Sequence, residues 1–500
     1  MFYRYALHIR EGLGVAWNPD GLPTYGMTSQ LWVFFVLPFT FLPLSAGDAL
    51  RLASSLTGLG ALAVMSFTLW RYAHSAVLRF FPISLLTVSL PLLAAPQFAF
   101  HMITGMDTML SLLTNAALVF GILEYSERPR SRQAFVVGLL AFVAVLARPD
   151  NAVCALATPF FIWATLPGTK RWGDLFHLVV LPLGLIGIEL MVCRWYFGVA
   201  LPLSFYAKLV RTYEGFQSSE NAVEYFFYFV ILTLPFVGIL CANLRRSEIL
   251  KVAAFLLPAA VTFLYLLTAR QIMGTRGRFY VPFLPFLVVP ALLSADMALM
   301  HDARRALART SIAILAVVLL YVGARPLRTS ASDAYIRSVR SAPILVPAFT
   351  PDTRDKLADH ASYQQVIETM GVVLAQLPQG VSVAASEVGY IGSSAPHIPI
   401  IDLVGLNDTH IGTHGFSMDD LLLRAPDLIW FPHTDYTGMR RRMFAEPRLL
   451  DRYVVVDGAF RYGIAIRKDS PYRPQIEAAL RKGWAVLYPS RVMDDYIVAR

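Results

Sequence analysis

A succession of apolar runs, each near the length that crosses a lipid bilayer, fills the sequence from Leu52 to Val322. A transmembrane helix needs about 20 consecutive apolar residues. Only 15% of the residues are charged, whereas a water-soluble domain has roughly 25%. The sequence therefore predicts an α-helical polytopic membrane protein with about ten spans. The predicted spans are Leu52–Trp70, Pro82–Phe100, Met106–Leu123, Phe135–Ala147, Ala152–Leu166, Leu175–Trp195, Ala222–Leu244, Leu250–Thr268, Phe279–Met297 and Ser311–Val322.

Basic clusters occupy every second connection between these runs, as in the cytoplasmic loops of membrane proteins. They are Arg71–Arg79, Arg128–Arg132, Lys170–Arg171, Arg245–Lys251 and Arg304–Arg309. This pattern places residues before Leu52 and after Val322 outside the cytoplasm, provided that Leu31–Leu44 does not cross. Because Pro38 and Pro43 interrupt that segment, we expect an interfacial or re-entrant helix. The predicted location is a bacterial cytoplasmic membrane, with multiple passes and an extracytoplasmic C-terminal domain.

The two ends of the chain differ in composition from its middle. Met1–Trp32 is polar and rich in glycine and proline, and such irregular backbone must lie outside the hydrocarbon or in a wet cavity. After Arg325 the sequence becomes mixed and polar. We therefore predict a membrane domain at 1–324, in which 1–50 form the first extracytoplasmic loop and interfacial helix, and a soluble α/β domain at 325–500.

Apolar periodicity predicts the elements of the soluble domain. Ala361–Leu377 has the period of a helix. The predicted strands are Val381–Ala385, Ile398–Leu403, Asp427–Phe431 and the pair Tyr453–Val456 and Tyr462–Arg467, which a turn at Gly458 would join into a hairpin.

Several cations break the charge rule, because they fall in connections assigned to the outer side. They are Arg148, Lys208, Arg270, Arg276 and Arg278. Translocated connections normally carry fewer such residues. These side chains therefore predict an anionic partner on the outer side of the membrane.

The opening stretch and one C-terminal block carry a family resemblance. In the opening stretch the residues that carry it are Tyr3, Arg4, Tyr5, Ala6, Glu11, Gly12, Gly14, Trp17, Asn18, Pro19, Gly26, Thr28, Leu31 and Trp32. In the C-terminal block they are Glu387, Gly389, Tyr390, Asp402, Gly405 and Leu406. The order resembles C-type multispanning glycosyltransferases, in particular the arabinofuranosyltransferase-like branch that uses polyprenyl-phosphate sugars. In that family a signal-anchor helix and an acidic pair precede the loop, and this chain has neither.

Two short motifs resemble acidic and basic elements of that family. Asp107, in HMITGMDTML, resembles the acid of the T-G-(L/M)-E-T segment, which implies a catalytic site role at the outer start of a helix. The alternative is an acid that only stabilises its helix, capped with help from Thr104 or Thr108. Arg148 and Asp150 resemble the R-P-(D/E) turn, in which Asp150 would support Arg148 on a phosphate. A turn held only by its own salt bridge is the alternative.

Two further motifs resemble phosphate-binding elements. Phe205-Tyr206-Ala207-Lys208 resembles F-Y-A-K, with Lys208 on the phosphate and Tyr206 in support, or alternatively a lysine that only snorkels to the interface. Arg276 and Arg278 resemble the R-(F/Y)-x-x-P-x-x-P helix entrance and could bind phosphate oxygens or anchor the helix end. The resemblance also brings Arg4 toward the phosphate from the first loop.

Other ligand classes find no support in the sequence. The net charge of +9 is dispersed between apolar runs, so we expect no nucleic-acid partner. The three cysteines lie in apolar segments and indicate neither a disulfide framework nor a metal site. No histidine spacing of the HExxH kind occurs, so we assign no metal and no cofactor.

Together these features predict a membrane glycosyltransferase. It would transfer a sugar, with arabinofuranose as one candidate, from a polyprenyl-phosphate donor to an extracytoplasmic glycan or lipid of the cell envelope. Two alternatives stay open: a transporter or flippase for a lipid-linked sugar, and a catalytically inactive homologue with a truncated start that lacks the acidic pair.

Overall fold

The structure is a computed structural model that describes residues 1–94, 96–166, 172–210, 246–268, 277–301 and 362–498. Several sequence predictions lie outside the described residues. They are the spans Ala222–Leu244 and Ser311–Val322, the basic clusters Lys170–Arg171 and Arg304–Arg309, the domain boundary at Arg325, the outer-side cation Arg270 and the site candidate Arg276.

Helices form most of the described chain. Before residue 302 they are α1 Phe2–Arg10, α2 Gln30–Val36, α3 Ala46–Tyr72, α4 Phe81–Ala94, α5 Pro96–Ile103, α6 Thr108–Glu127, α7 Ser131–Ala147, α8 Ala152–Thr165, α9 Trp172–Phe197, α10 Leu203–Leu209, α11 Arg246–Thr268 and α12 Leu284–His301. After residue 361 they are α13 Tyr363–Ala375, α14 Val388–Ser394, α15 Thr409–His414, α16 Met418–Arg424, α17 Thr437–Phe444, α18 Pro447–Arg452 and α19 Arg473–Leu487. Helix α13 confirms the helix predicted at Ala361–Leu377.

Four of the described helices are long and apolar enough to cross a membrane. They are Ala46–Tyr72, Thr108–Glu127, Trp172–Phe197 and Glu248–Leu267. Shorter apolar helices occupy Gln30–Phe41, Phe81–Leu90, Ser131–Ala147 and Val281–Met297. The apolar helices are consistent with an α-helical membrane protein, but the described residues do not show ten full-length spans. One reason is that Pro96 starts a new helix inside the predicted span Pro82–Phe100, since proline favours a first turn.

Helices α3 to α9, α11 and α12 contribute residues to one hydrophobic core. Helix α6 lies at its centre and packs against both α3 and α7. A glycine permits one close approach: a Cβ at Gly138 of α7 would lie 2.1 Å from the His177 carbonyl oxygen. His177 belongs to a π-helical turn of α9, Phe176–Val180, which therefore needs glycine opposite it.

The C-terminal domain is built on a mixed five-stranded sheet. Its strands are β1 Val383–Ala385, β2 Ile400–Asp402, β3 Leu428–Trp430, β4 Tyr453–Val456 and β5 Ile464–Arg467, in the order β2-β1-β3-β5-β4. Strand β1 runs parallel to β2 and β3, whereas β5 runs antiparallel to β3 and β4. All five predicted strands are confirmed, including the hairpin of β4 and β5.

The opening stretch packs against this C-terminal domain. Tyr5 and Trp17 are fully buried in the same hydrophobic core as the sheet strands. Asn18 accepts a hydrogen bond from the Ile400 N–H at 2.9 Å and donates to the Ile400 carbonyl at 3.3 Å. Ile400 lies in β2, an edge strand whose free backbone groups would otherwise be exposed for pairing. The loop thus closes one edge of the sheet.

Candidate functional site

Asp107 immediately precedes helix α6 and is buried, with 1% of its surface exposed. Gly105, at φ +72°, shapes the preceding turn. The carboxylate makes no capping hydrogen bond to its own helix. Its Oδ1 instead accepts a hydrogen bond from Arg278 at 2.7 Å and lies 3.5 Å from Arg148. Asp107 therefore does more than cap a helix, because it joins two connections that are distant in sequence.

Arg148 follows the last residue of α7 and has an extended backbone, which ends the helix. Its guanidinium donates to both oxygens of Asp150, at 3.0 and 2.8 Å, as a bidentate pair. The remaining terminal nitrogen, Nη1, faces Asp107 at ion-pair distance but has no hydrogen-bond partner among the described residues. The predicted salt-bridged turn is present, and it also presents Arg148 to a second carboxylate.

Arg278 completes the cluster from the segment before α12. Its Nε is buried and, within the described part of the chain, has no hydrogen-bond partner. The Phe279 ring lies 5.1 Å from the Arg148 guanidinium and 6.0 Å from that of Arg278, which are cation–π distances. The ring therefore contacts both cations, and an N–H group of each is buried without a partner among the described residues.

Lys208 stands near the end of α10, on the exposed surface. Its pKa is lowered, mainly by partial burial of the ammonium group and further by the charge of Arg148, while Asp150 opposes the shift. The ammonium is thus within electrostatic range of the Arg148–Asp150 pair. The backbone carbonyl of Tyr206 accepts a hydrogen bond from the Val210 N–H at 3.0 Å.

The electrostatics of the cluster favour an anion. Burial opposes ionisation of Asp107, but the Arg278 and Arg148 charges outweigh it and hold the pKa of Asp107 below its usual value. Burial likewise lowers the pKa of Arg278. With Asp107 and Asp150 ionised, three cationic side chains face two carboxylates, so the group keeps a positive excess.

Two asparagines that sequence reasoning missed hold these connections together. Asn115 of α6 donates to the Asn151 side chain at 2.9 Å and to the Pro282 carbonyl at 2.8 Å. Asn151 in turn donates to Ser111 at 2.8 Å and to the Ala144 carbonyl at 2.7 Å. This network ties together α6, the turn after Arg148 and the segment after Arg278. Polar residues inside apolar runs were the available signal.

Arg4 does not belong to the cluster, and the prediction that it binds the donor phosphate is corrected. It is fully buried in the interface between the opening stretch and the C-terminal domain, and burial lowers its pKa to about 9. Its guanidinium also stacks 4.5 Å from the Trp17 ring. The N–H groups are occupied by the oxygens of Trp17, Asn18, Gly392, Ala395 and Ile398. Arg4 therefore fixes the fold and has no donor left for a phosphate.

Glu189 is a second feature that sequence reasoning missed. It lies within α9 and its Oε1 accepts hydrogen bonds from Tyr25 at 3.1 Å, Gln30 at 2.5 Å and Cys193 at 3.2 Å. An acidic residue inside an apolar helix was the signal. These bonds fasten the opening stretch to α9.

Among the residues that the structure describes, no group of three or more His, Cys, Asp or Glu side chains could hold a metal ion. The comparisons with known proteins add one finding. Residues 355–487 match the model of a family described as a domain of unknown function (DUF8728). No curated protein and no solved structure gave a match. The match covers much of the C-terminal domain and leaves the charge cluster outside it.

Proposed function

We propose that this protein is a membrane glycosyltransferase that takes its sugar, with arabinofuranose as one candidate, from a polyprenyl-phosphate donor. In this proposal the acceptor is an extracytoplasmic glycan or lipid of a bacterial cell envelope, and the charge cluster lies on the outer side of the cytoplasmic membrane. The observation that carries the proposal is that Arg148 and Arg278 share one buried carboxylate and keep N–H groups without partners.

A lipid-linked phosphate would satisfy these groups. Guanidinium groups bind phosphate oxygens in a fixed geometry, and a lysine ammonium adds a compact positive charge. Leaving a buried donor without a partner costs about 1–3 kcal/mol, so an anion that pairs with it recovers that energy. The apolar helices around the cluster suit a donor with a hydrocarbon chain.

The geometry also suggests how the transfer proceeds. The bond between the anomeric carbon and the donor phosphate oxygen breaks, and that carbon bonds to the acceptor hydroxyl oxygen. Arg148, Arg278 and Lys208 stabilise the negative charge that develops on the departing phosphate. The hydroxyl proton can pass to that phosphate, because a phosphomonoester has a second pKa of about 6. Asp107, paired with two arginines, is then a positioning residue.

The decisive experiment separates donor binding from protein integrity. Purified protein in nanodiscs is titrated with undecaprenyl phosphate, with undecaprenol as the uncharged control, and assayed for transfer with a panel of polyprenyl-phosphate sugars. Lys208→Ala and Arg278→Ala should abolish transfer and leave membrane insertion intact. Arg51→Ala, an exposed residue paired with Asp48, is the matched control.

Two results would overturn the proposal. One is equal affinity for undecaprenyl phosphate and undecaprenol. The other is unchanged transfer by both cluster variants. Phosphate-dependent binding without transfer, accompanied by lipid-linked sugar movement across proteoliposomes, would instead favour the transporter.

A further inference from the structure

The C-terminal ends of two parallel strands form a second polar cluster, far in sequence from the arginine cluster. Ser386 and Glu387 follow β1, and His433 follows β3. The His433 N–H donates to the Ser386 hydroxyl at 3.0 Å, so the two strand ends are joined. Ligands of open α/β sheets bind in the crevice beyond such ends.

Two tyrosine rings lie close to His433 at these strand ends, which we refer to as the crevice. The His433 ring lies 6.2 Å from the Tyr363 ring and 5.0 Å from the Tyr462 ring, centroid to centroid. The Tyr363 hydroxyl donates to Glu387 at 2.5 Å, and Tyr363 keeps 40% of its surface exposed. The crevice thus combines ring faces, a carboxylate and an imidazole in a place that a ligand can reach.

Tyr462 supplies the observation that points to a ligand. The residue is 1% exposed, yet its hydroxyl has no hydrogen-bond partner among the described residues. Burial is the main cause that raises its pKa, the charges of Glu387 and Asp435 raise it further, and those of Arg461 and Arg440 oppose the shift. The hydroxyl is therefore within electrostatic range of these charged groups. A buried hydroxyl without a partner is costly, and a ligand that bonds to it removes that cost.

An unusual backbone turn completes the crevice. Phe460 and Arg461, between β4 and β5, have φ values of +50° and +74°. Side-chain-bearing residues rarely adopt this region, and such strain concentrates at functional sites. The turn places the Arg461 guanidinium 5.7 Å from the Tyr363 ring.

The charges of the crevice decide the class of ligand. Glu387 and Asp435 are acids, and His433 is 3.4 Å from Asp435. The cations are Arg461 and Arg440, whose guanidinium donates to the Tyr462 carbonyl. The two acids balance the two arginines, so the crevice lacks the cluster of unpaired cations that phosphates and nucleotides need. Ring faces beside hydrogen-bonding groups of both kinds instead suit a neutral, polyhydroxylated molecule.

We propose that Tyr363, Glu387, His433 and Tyr462 line a binding site for a neutral oligosaccharide. This inference rests on the proposed function, because the oligosaccharide would be the glycan acceptor. Glu387 and His433 would bond to sugar hydroxyls, the Tyr462 hydroxyl would gain its missing partner, and the exposed Tyr363 ring would pack on the apolar face of a sugar.

The test measures oligosaccharide binding to the full chain in nanodiscs by isothermal titration calorimetry. The probes are a linear arabinofuranose hexasaccharide and maltohexaose. We expect saturable binding of at least one probe, weakened about tenfold by Tyr462→Phe and by Glu387→Gln. Saturable binding of neither probe, or variants that bind as tightly as the wild type, would overturn the inference.

A matched tyrosine separates binding from folding. The Tyr453 hydroxyl, in the same sheet, donates to the Pro426 carbonyl at 2.9 Å. Tyr453→Phe should lower the thermal unfolding midpoint and keep the affinity, whereas Tyr462→Phe should keep the midpoint and lose affinity. If Tyr462→Phe instead lowered the midpoint and kept the affinity, Tyr462 would contribute to stability and not to binding.

Lipid binding measured in parallel distinguishes the two proposals. If the oligosaccharide binds and undecaprenyl phosphate does not, the crevice stands and the proposed transfer fails. If only the lipid phosphate binds, the crevice is refuted and the donor site stands.

Discussion

Arg278 donates a hydrogen bond to Asp107 at 2.7 Å across 171 positions of sequence. The same carboxylate oxygen lies 3.5 Å from Arg148, so one buried acid pairs with two arginines, of which Arg148 also pairs with Asp150. This relationship fixes the geometry of the candidate donor site before any ligand arrives.

Removing the shared carboxylate should destabilise the protein. In Asp107→Ala, Arg148 keeps Asp150, whereas Arg278 loses the carboxylate with which it pairs among the described residues. An uncompensated buried charge costs about 3–5 kcal/mol. We expect a lower thermal-shift midpoint for the purified protein in detergent, partly restored by undecaprenyl phosphate. Asp48→Ala, which removes an exposed acid paired with Arg51, is the control. A midpoint equal to that of the wild type would show that Asp107 does not balance the arginines.

Lys208 should affect binding without affecting stability. Its exposed side chain makes no ion pair with the described residues, so Lys208→Ala should leave the thermal-shift midpoint unchanged. The affinity for undecaprenyl phosphate should fall about tenfold, because a hydrogen bond to a charged group contributes roughly 1.5–3 kcal/mol. Titration of the lipid in nanodiscs measures this, with the exposed Lys482→Ala as control. Unchanged affinity would remove Lys208 from the site.

The lowered pKa of Lys208 predicts how donor binding depends on pH. A lysine whose folded-state pKa lies below the ordinary 10.5 loses its proton at a lower pH than an exposed lysine does. Affinity for the lipid phosphate should therefore decline as the pH rises through that lowered value. Lys208→Arg keeps its charge, since arginine has a pKa above about 12, and should retain affinity over this range. If the affinity of the wild type and that of Lys208→Arg changed with pH in the same way, Lys208 would not be the group that binds the phosphate.

Sequence patterns predicted the site well where the order of the membrane spans decides on which side of the membrane a residue lies. Apolar runs and basic clusters assigned Asp107, Arg148 and Arg278 to connections on one side, and the described residues bring these three together. The pattern failed for Arg4, because an arginine that binds carbonyl oxygens has the same sequence signature as one that binds a phosphate. Glu189 was not predicted, because it lies within an apolar run that was interpreted only as a membrane span.

In the C-terminal sheet the sequence predicted the strands but not how they pair. Apolar periodicity was sufficient to locate every strand, because successive side chains of a strand point to opposite faces of the sheet. The antiparallel pairing of β3 with β5 depends on contacts between distant segments. The positive φ values of Phe460 and Arg461 likewise arise from packing around the turn, which carries no glycine at those two positions.

The contact between Asn18 and the edge strand β2 yields the last prediction. The Asn18 side chain bonds to both backbone groups of Ile400, but the carbonyl also accepts a bond from the Trp17 indole N–H at 3.3 Å. Asn18→Ala therefore leaves the Ile400 N–H at the sheet edge without a partner. The expected cost is about 1–3 kcal/mol. Hydrogen exchange of the Ile400 amide should accelerate, and the opening stretch should become more sensitive to protease. Asp20→Ala is the control, because Asp20 accepts a bond only from Leu22 of its own loop among the hydrogen bonds described. Equal exchange rates at Ile400 in the two variants would mean that the loop does not protect the edge of the sheet.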